Sequence, residues 1–339
     1  MQTDASHQAA VLGAGSWGTA LAIHLGHVGH RVTLWGRDRA LIDEMLRRRA
    51  NPTYLPDLTF PAPLTPTTSL AEALAGAQHV IVAVPSHGLR AVVRAAVPHI
   101  PAGAVIVSAT KGIEADSLQR MSEVLVDETK GRHPVVVLSG PSFATEVARR
   151  LPTALVAAST DENAVRLVQE EFRGPSFRLY GSDDVVGVET GAALKNIIAI
   201  GAGVVESLEL GHNAMSALIT RGLAEISRLA CAMGGRRETL AGLSGLGDLV
   251  LTCTGSLSRN RHVGLELGRG RRLDEILSGM RMVAEGVRTT TAALALGERH
   301  GVELPIAAQM AEVLSGRKTP KGAVEDLMLR RQRGELDGE

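Results

Sequence analysis

The stretch Ala9-Ala10-Val11-Leu12-Gly13-Ala14-Gly15-Ser16-Trp17-Gly18 passes from a short apolar run through a glycine turn into the helical pattern Thr19 to Val28. Strand, glycine turn and helix stand here in the order that a dinucleotide-binding fold requires. The three glycines serve different ends. Gly13 makes the tight turn, Gly15 lets backbone approach a pyrophosphate, and Gly18 lets helix and strand pack closely. The first N–H groups of the helix would face the phosphates.

Working outward, the second strand is Arg31 to Trp35. The NAD-binding pattern places an acid near the end of this strand, about 20 residues after the glycines. The chain reads Gly36-Arg37-Asp38 instead. Arg37 can pair with a 2′-phosphate, which puts NADPH ahead, while Asp38 one residue on keeps NADH possible. Three further strands, His79 to Val84, Ala104 to Ser108 and Val135 to Ser139, end in Pro85-Ser86-His87, Ala109-Thr110-Lys111 and Gly140-Pro141-Ser142-Phe143-Ala144. Lys111 therefore stands at a strand's carboxyl end, the edge where open α/β sheets bind ligands. His87 reads as a cap of the following helix, Gly88 to Val97, more than as a catalytic group. Gly140 allows a tight turn and Pro141 suits a first helical position, so free N–H groups there could meet an anion. The proline-rich segment Asn51 to Pro63 reads as an irregular crossing loop. Short strands at Thr153 to Ala158 and Phe177 to Tyr180 complete residues 8–182. The expected class is an α/β N-terminal Rossmann-like doubly wound sheet.

Residues 183–331 read as an all-α C-terminal domain, joined to the first by a long helix opening at Asp184. That helix contains Gly191 to Gly203, almost wholly apolar except for Lys195 and Asn196; between Val185 and Val205 the only other ionisable group is Glu189. A cation on a helix apolar on most sides is expensive unless paired, so Lys195 either snorkels to a surface or is kept for chemistry. Usage favours the second reading. Lysine occurs only at 111, 130, 195, 318 and 321, so 31 of the 36 basic side chains are arginine. A lysine retained here supplies a compact ammonium that can give or take a proton, which guanidinium cannot. Downstream, Gly242 to Val250 and Leu251 to Arg261 bring glycines, hydroxyls, Asp248 and Arg259 together. The segment is compatible with a phosphate cradle and with a capped loop between helices.

A chain of 339 residues with 45 % hydrophobic and 21 % charged residues has material for two domains and sizeable cores. Zero formal net charge gives no reason to expect nucleic acid or an anionic membrane as partner. No uninterrupted apolar span approaches the roughly 20 residues of a membrane helix. Arg47 to Arg49 and Arg269 to Arg272 read as solvated faces. Cys231 and Cys253 have no metal-ligand spacing and read as small buried thiols of a reducing compartment. Met1 to His7 is polar and lacks a signal peptide's apolar run, which with the thiols points to the cytoplasm.

Taken in order, several blocks resemble the bacterial type of NAD(P)-dependent glycerol-3-phosphate dehydrogenase. They are Gly13 to Ala22, Val84-Pro85-Ser86, Lys111-Gly112-Ile113, Ser139 to Ala144, Ala193 to Ile200, Gly245 to Leu249, Ser258-Arg259-Asn260-Arg261 and Ala284-Glu285-Gly286. The resemblance implies cofactor contacts at Ser16, Trp17, Arg37, Ala144, Val283 and Glu285, beside the glycines. It implies substrate-side roles for Lys111, Gly140 and Ser142, with Lys111 also touching cofactor. Lys195 would be the catalytic acid/base, and Asp248, Ser258, Arg259 and Asn260 the substrate-binding set, Arg259 also reaching the cofactor. Thr190 departs from the family, which often carries an apolar residue there. The implied reaction is reduction of dihydroxyacetone phosphate by NADPH, or NADH, to sn-glycerol 3-phosphate for phospholipid synthesis, without a metal and in a homodimer. Two alternatives are a β-hydroxyacid-type dehydrogenase, which also pairs a Rossmann domain with a catalytic lysine on a helical domain, and a non-catalytic NADPH-binding sensor. The phosphate-like cradle argues against the first and the polar set around Lys195 against the second.

Overall fold

The computed structural model describes residues 7–280, 283–332 and 334–335; Met1 to Ser6, read above as free of a signal sequence, lie outside them. Ten strands occur among these residues. They are β1 Gln8–Leu12, β2 Arg31–Trp35, β3 Ala50–Asn51, β4 Leu55–Thr59, β5 Leu64–Thr67, β6 His79–Val82, β7 Val105–Ser108, β8 Val135–Ser139, β9 Thr153–Ala158 and β10 Phe177–Ser182. Eight form one sheet in the order β10-β9-β8-β7-β6-β1-β2-β5. From β5 to β8 every pairing is parallel; β9 meets β8 antiparallel, and β10 runs parallel to β9. The chain goes outward from β1 to β2 and β5, then returns to place β6 on the other side of β1. That reversal opens a crevice at the carboxyl ends of β1 and β6.

Parallel strands covered on both faces need apolar residues throughout, and β1 has them. Ala9 and Val11 belong to the core on one face of the sheet, Ala10 and Leu12 to the core on the other. The helices interleaved with the strands are α1 Ser16–His27, α2 Arg39–Arg48, α3 Leu70–Leu74, α4 Ser86–Ala96, α5 Met121–Thr129, α6 Ala144–Ala148 and α7 Glu162–Glu171.

Beyond the sheet the chain is helical: α8 Val185–Ser207, α9 Gly211–Ala232, α10 Arg237–Leu240, α11 Asp248–Thr254, α12 Arg259–Gly268, α13 Leu273–Ser278, α14 Glu285–His300, α15 Pro305–Leu314 and α16 Pro320–Met328. Asp184 caps α8 by accepting from the Gly187 N–H at 2.8 Å. Every residue of α8 from Gly187 to Val205 is buried. Although α8 is long and apolar enough to cross a membrane, which the sequence reading did not anticipate, 89 % of its apolar window is buried inside the protein. Its closest neighbour is α12. A Cβ on Gly203 would stand 2.0 Å from the Arg261 carbonyl oxygen, and one on Gly264 would stand 1.9 Å from that of Ile200. Backbone thus packs on backbone where the two helices cross, and this contact fixes α12 against the segment that carries Lys195. Thr190 is fully buried with its hydroxyl unpartnered, as suits a position where an apolar side chain would do.

Several expectations need correction. Asn51 to Pro63 is not an irregular loop. It contains the β3–β4 pair, Leu55 and Phe60 lie in the core, and Asn51 is wholly buried. Of its prolines only Pro56 lies in a strand, on a two-stranded ribbon where a missing ladder donor costs little. His87 caps nothing: α4 begins at Ser86, and His87 is exposed in its first turn. Pro141 does not open a helix, since α6 starts only at Ala144. Cys253 is buried as read, but Cys231 is exposed. The arginines of both runs are exposed, as expected.

Candidate active site

At the carboxyl end of β1, Gly13 adopts φ +121°, and a Cβ there would meet the Ala83 carbonyl oxygen at 2.6 Å. The turn therefore lies directly on the chain leaving β6. A Cβ on Gly18 would stand 1.9 Å from the Gly13 carbonyl oxygen, so it is the turn itself that needs this glycine. Gly15 differs: nothing lies within 4 Å of where its Cβ would be. Gly15 is the N-cap of α1, no side chain caps that helix, and its first turn holds no acid. Exposed backbone and uncommitted N–H groups are what a pyrophosphate needs, so the residues present fit a dinucleotide. Asn51 holds this turn from beneath, its Nδ2 donating to the Ala14 carbonyl at 3.0 Å and to Thr19 Oγ1 at 2.8 Å. Ser16 and Trp17 begin α1, and the Trp17 indole N–H is buried without an acceptor.

After β2, Arg37 is exposed and unpaired among the described residues, whereas the Asp38 side chain accepts from the Leu41 N–H at 3.2 Å as the cap of α2. The acid that kept NADH open is thus committed to a helix end.

The second half of the site comes from α8 and the chain after α10. A single wide π-helical turn, Leu243–Gly247, sets Asp248 as the first residue of α11. A Cβ on Gly191 would stand 2.9 Å from the Ser244 carbonyl oxygen, so this turn sits on α8 one helical turn before Lys195. Lys195 is 6 % exposed and does not snorkel. Its Nζ donates to Asp248 Oδ1 at 2.5 Å and to Thr252 Oγ1 at 2.8 Å. The other Asp248 oxygen accepts from Lys111 Nζ at 2.6 Å, and Lys111 also donates to the Gly140 carbonyl at 3.1 Å. Ser142 donates to that same carbonyl at 2.9 Å. One buried carboxylate therefore aligns two ammonium groups, one from each half of the molecule. Burial, opposed by the Asp248 carboxylate and assisted by nearby Lys111, brings the Lys195 pKa from 10.5 down to about 7. An ammonium so tuned exchanges its proton near neutrality. Burial pushes the neighbouring Cys253 thiol up to about 12, which leaves it inert.

Ser258 and Asn260 are occupied in holding the scaffold. Ser258 caps α12 by accepting from the Arg261 N–H at 3.2 Å. Asn260 donates to Asn196 Oδ1 at 2.9 Å and accepts from the Gly286 N–H at 2.9 Å, linking α8, α12 and α14. Arg259 between them is half-buried and has no hydrogen-bond or ion partner among the described residues. Burial holds its guanidinium below the ordinary value, opposed by Glu285 and Tyr54. A desolvated, unpartnered guanidinium is a ready anion receptor. Glu285 opens α14 and accepts from the Ser86 N–H at 3.1 Å and hydroxyl at 2.6 Å, tying the helical part to the loop after β6. Val283 is half-buried just before it, and Ala144 packs against the sheet core at the start of α6.

Thr252 and Asn51 escaped the sequence reading. A signal for Thr252 existed, since it lies four residues after Asp248 and so shares its helical face. Asn51 left none, because its partners lie 37 and 32 residues away.

Residues 8–165 match the family described as NAD-dependent glycerol-3-phosphate dehydrogenase N-terminus, and residues 184–325 its C-terminus. A glycerol-3-phosphate dehydrogenase [NAD(P)+] of Syntrophotalea carbinolica is 54 % identical over 329 residues, 96 % of this chain and 99 % of that one. One of Koribacter versatilis is 54 % identical over 271 residues, 79 % of this chain and 80 % of the relative. The crystal structure of glycerol-3-phosphate dehydrogenase from Coxiella burnetii superposes with a TM-score of 0.92 at 42 % identity, covering 96 % of this chain and 99 % of the other.

Proposed function

The chain belongs to the NAD-dependent glycerol-3-phosphate dehydrogenase family, and from that premise we propose which of its residues carry the reaction. It is an oxidoreductase that interconverts dihydroxyacetone phosphate and sn-glycerol 3-phosphate with NAD(P)(H), supplying the glycerol phosphate backbone of phospholipids. Reduction of a 3-oxo acid and cofactor sensing without turnover are set aside. The observation that carries the residue assignment is the buried Lys195 ammonium, aimed by Asp248 and Thr252 and facing Lys111.

Bound nicotinamide supplies the hydride for C2. Lys195 polarises the C2 oxygen and gives it a proton as the alkoxide forms. Asp248 and Lys111 hold Lys195 and substrate in register, and Gly140 and Ser142 shape the substrate side. Arg259 takes up the phosphate and also reaches the cofactor. Ser258 and Asn260 orient Arg259 through the start of α12 as much as they touch substrate. The glycine turn, Ser16 and Trp17 receive the pyrophosphate, while Ala144, Val283, Glu285 and Lys111 complete the cofactor site. The purified protein should oxidise NADPH only when dihydroxyacetone phosphate is present, followed by the absorbance of the reduced nicotinamide. Lack of that turnover in folded protein would overturn the assignment.

NADPH is the preferred cofactor in this reading, because Arg37 is free and Asp38 is committed to a helix cap. Arg37→Asp is expected to move the ratio of kcat/KM for NADPH over NADH by about 10- to 100-fold toward NADH, the scale of one or two charge-assisted hydrogen bonds. An unchanged ratio would mean that Arg37 does not read the 2′-phosphate. Arg259→Ala should raise KM for dihydroxyacetone phosphate by a similar factor and leave kcat at saturation nearly intact, since the phosphate is held equally in ground and transition states. Cofactor affinity must be measured alongside, and a wild-type KM would remove the phosphate role. The domain boundary is placed between residues 182 and 183, with the helical half serving substrate binding and homodimerisation in the cytoplasm.

A further inference from the structure

The opposite edge of the sheet gathers a second set of chemistry-bearing side chains. His7 and His30 immediately precede β1 and β2, and His79 is the first residue of β6. These three strands are parallel neighbours, with Gln8 beside Arg31 and Ala9 beside His79, so the histidines come together at the amino edge. Their ring centroids stand 6.1, 6.2 and 6.0 Å apart. Glu171, the last residue of α7, closes the cluster. Its Oε2 bonds His7 Nδ1 and lies 2.7 Å from His79 Nε2, while its backbone carbonyl lies 2.8 Å from His30 Nε2. Ligand atoms of His7, His79 and Glu171 all fall within 4.8 Å of one another. None of these residues faces the carboxyl edge, where the reaction takes place.

We propose that His7, His79 and Glu171 form a binding site for one divalent cation of zinc type. Two imidazole nitrogens and one carboxylate oxygen are a donor set that Zn2+ takes when water supplies the fourth ligand. Hard cations such as Mg2+ and Ca2+ prefer oxygen ligands throughout. The side chains are exposed in a graded way, His79 at 1 %, Glu171 at 13 % and His7 at 30 %, so the ion enters past His7 and water completes the tetrahedron there. Ligands about 2.0–2.1 Å from zinc stand roughly 3.4 Å apart. Both contacts of Glu171 Oε2, with His7 and with His79, must therefore open, by up to about 1 Å. Glu171 at a helix end and His7 beside the first strand can move that far while His79 stays fixed on a central strand.

His30, on the Glu171 carbonyl, holds the end of α7 in place from outside the ligand set. Coordination through His79 Nε2 moves the ring proton to Nδ1, which is buried with no partner. A missing outer partner of this kind costs about 10- to 100-fold in metal affinity. The bound ion would pin α7 to the start of β1 and β6, remote from the catalytic edge.

The test uses the full chain without an affinity tag, stripped by chelator and dialysed near neutral pH against micromolar Zn2+. One equivalent should be retained, the melting temperature should rise with Zn2+ concentration, and the rate of dihydroxyacetone phosphate reduction should stay unchanged. Co2+ in the same site should show the strong visible absorption of a tetrahedral ion. H7Q and E171Q should each lose the equivalent and the thermal shift; H7Q leaves the His79–Glu171 contact standing, so its fold is not at risk. No zinc retained by the wild type, or equal retention by both variants, would overturn the proposal and leave a purely hydrogen-bonded cluster.

Discussion

Lys195→Ala is expected to lower kcat for dihydroxyacetone phosphate reduction by about 10²- to 10⁴-fold, the usual contribution of a positioned acid–base group. The protein should remain folded and bind NADPH. Asp248 keeps its ion pair with Lys111 in the variant, and the glycine turn lies on the other half of the molecule. Lys195→Arg should recover little, because guanidinium keeps the charge but does not release a proton and is bulkier than the ammonium that Asp248 and Thr252 hold. The pH dependence gives a second readout with a definite sign. Reduction needs the ammonium, so its kcat/KM should fall as pH rises through about 7; oxidation of glycerol 3-phosphate needs the neutral amine and should rise over the same interval. If Lys195 only packs the core, the alanine variant would melt at lower temperature yet turn over normally, and the acid would have to be sought at Lys111.

Asp248→Asn should reduce kcat/KM for reduction at neutral pH by about 10²-fold or more. Asp248 is 1 % exposed and pairs with both ammonium groups. Removing one member of a buried ion pair costs about 3–5 kcal/mol when the other stays charged. Lysine can escape that cost by losing its proton. Asp248 is what holds the Lys195 pKa up against burial and Lys111, so the variant should shift the fall in activity to pH below 7. The amide also turns a donor toward one of the two lysines, which spoils their common aim. Melting temperature and NADPH affinity, measured on the same preparation, separate this from unfolding. A profile that still falls near pH 7 would show that Asp248 does not set the Lys195 proton affinity.

The sequence by itself determined whatever depends on local backbone demands or on the periodicity of apolar residues. Gly13 was legible because a tight turn at positive φ accepts no side chain, Gly15 because a pyrophosphate needs backbone left open, and α8 because a helix apolar on nearly every side is buried. From that burial followed the expectation that Lys195 needs a partner. Which partner it has was decided only by tertiary structure: Asp248 lies 53 residues away and reaches Lys195 because a glycine-rich turn packs on Gly191. Ser258 and Asn260 read as substrate ligands or as loop caps until packing gave their polar atoms to the α12 terminus, Asn196 and Gly286. Asn51 sat in a proline-rich stretch that composition assigns to a loop, yet a two-stranded ribbon buries it beneath the glycine turn after β1. His7, His30 and His79 carry no common spacing, and they meet because β2, β1 and β6 lie side by side in one register. Hydrogen-bond partners across long separations are chosen by strand order and helix crossing, and neither is written in any single stretch of the chain.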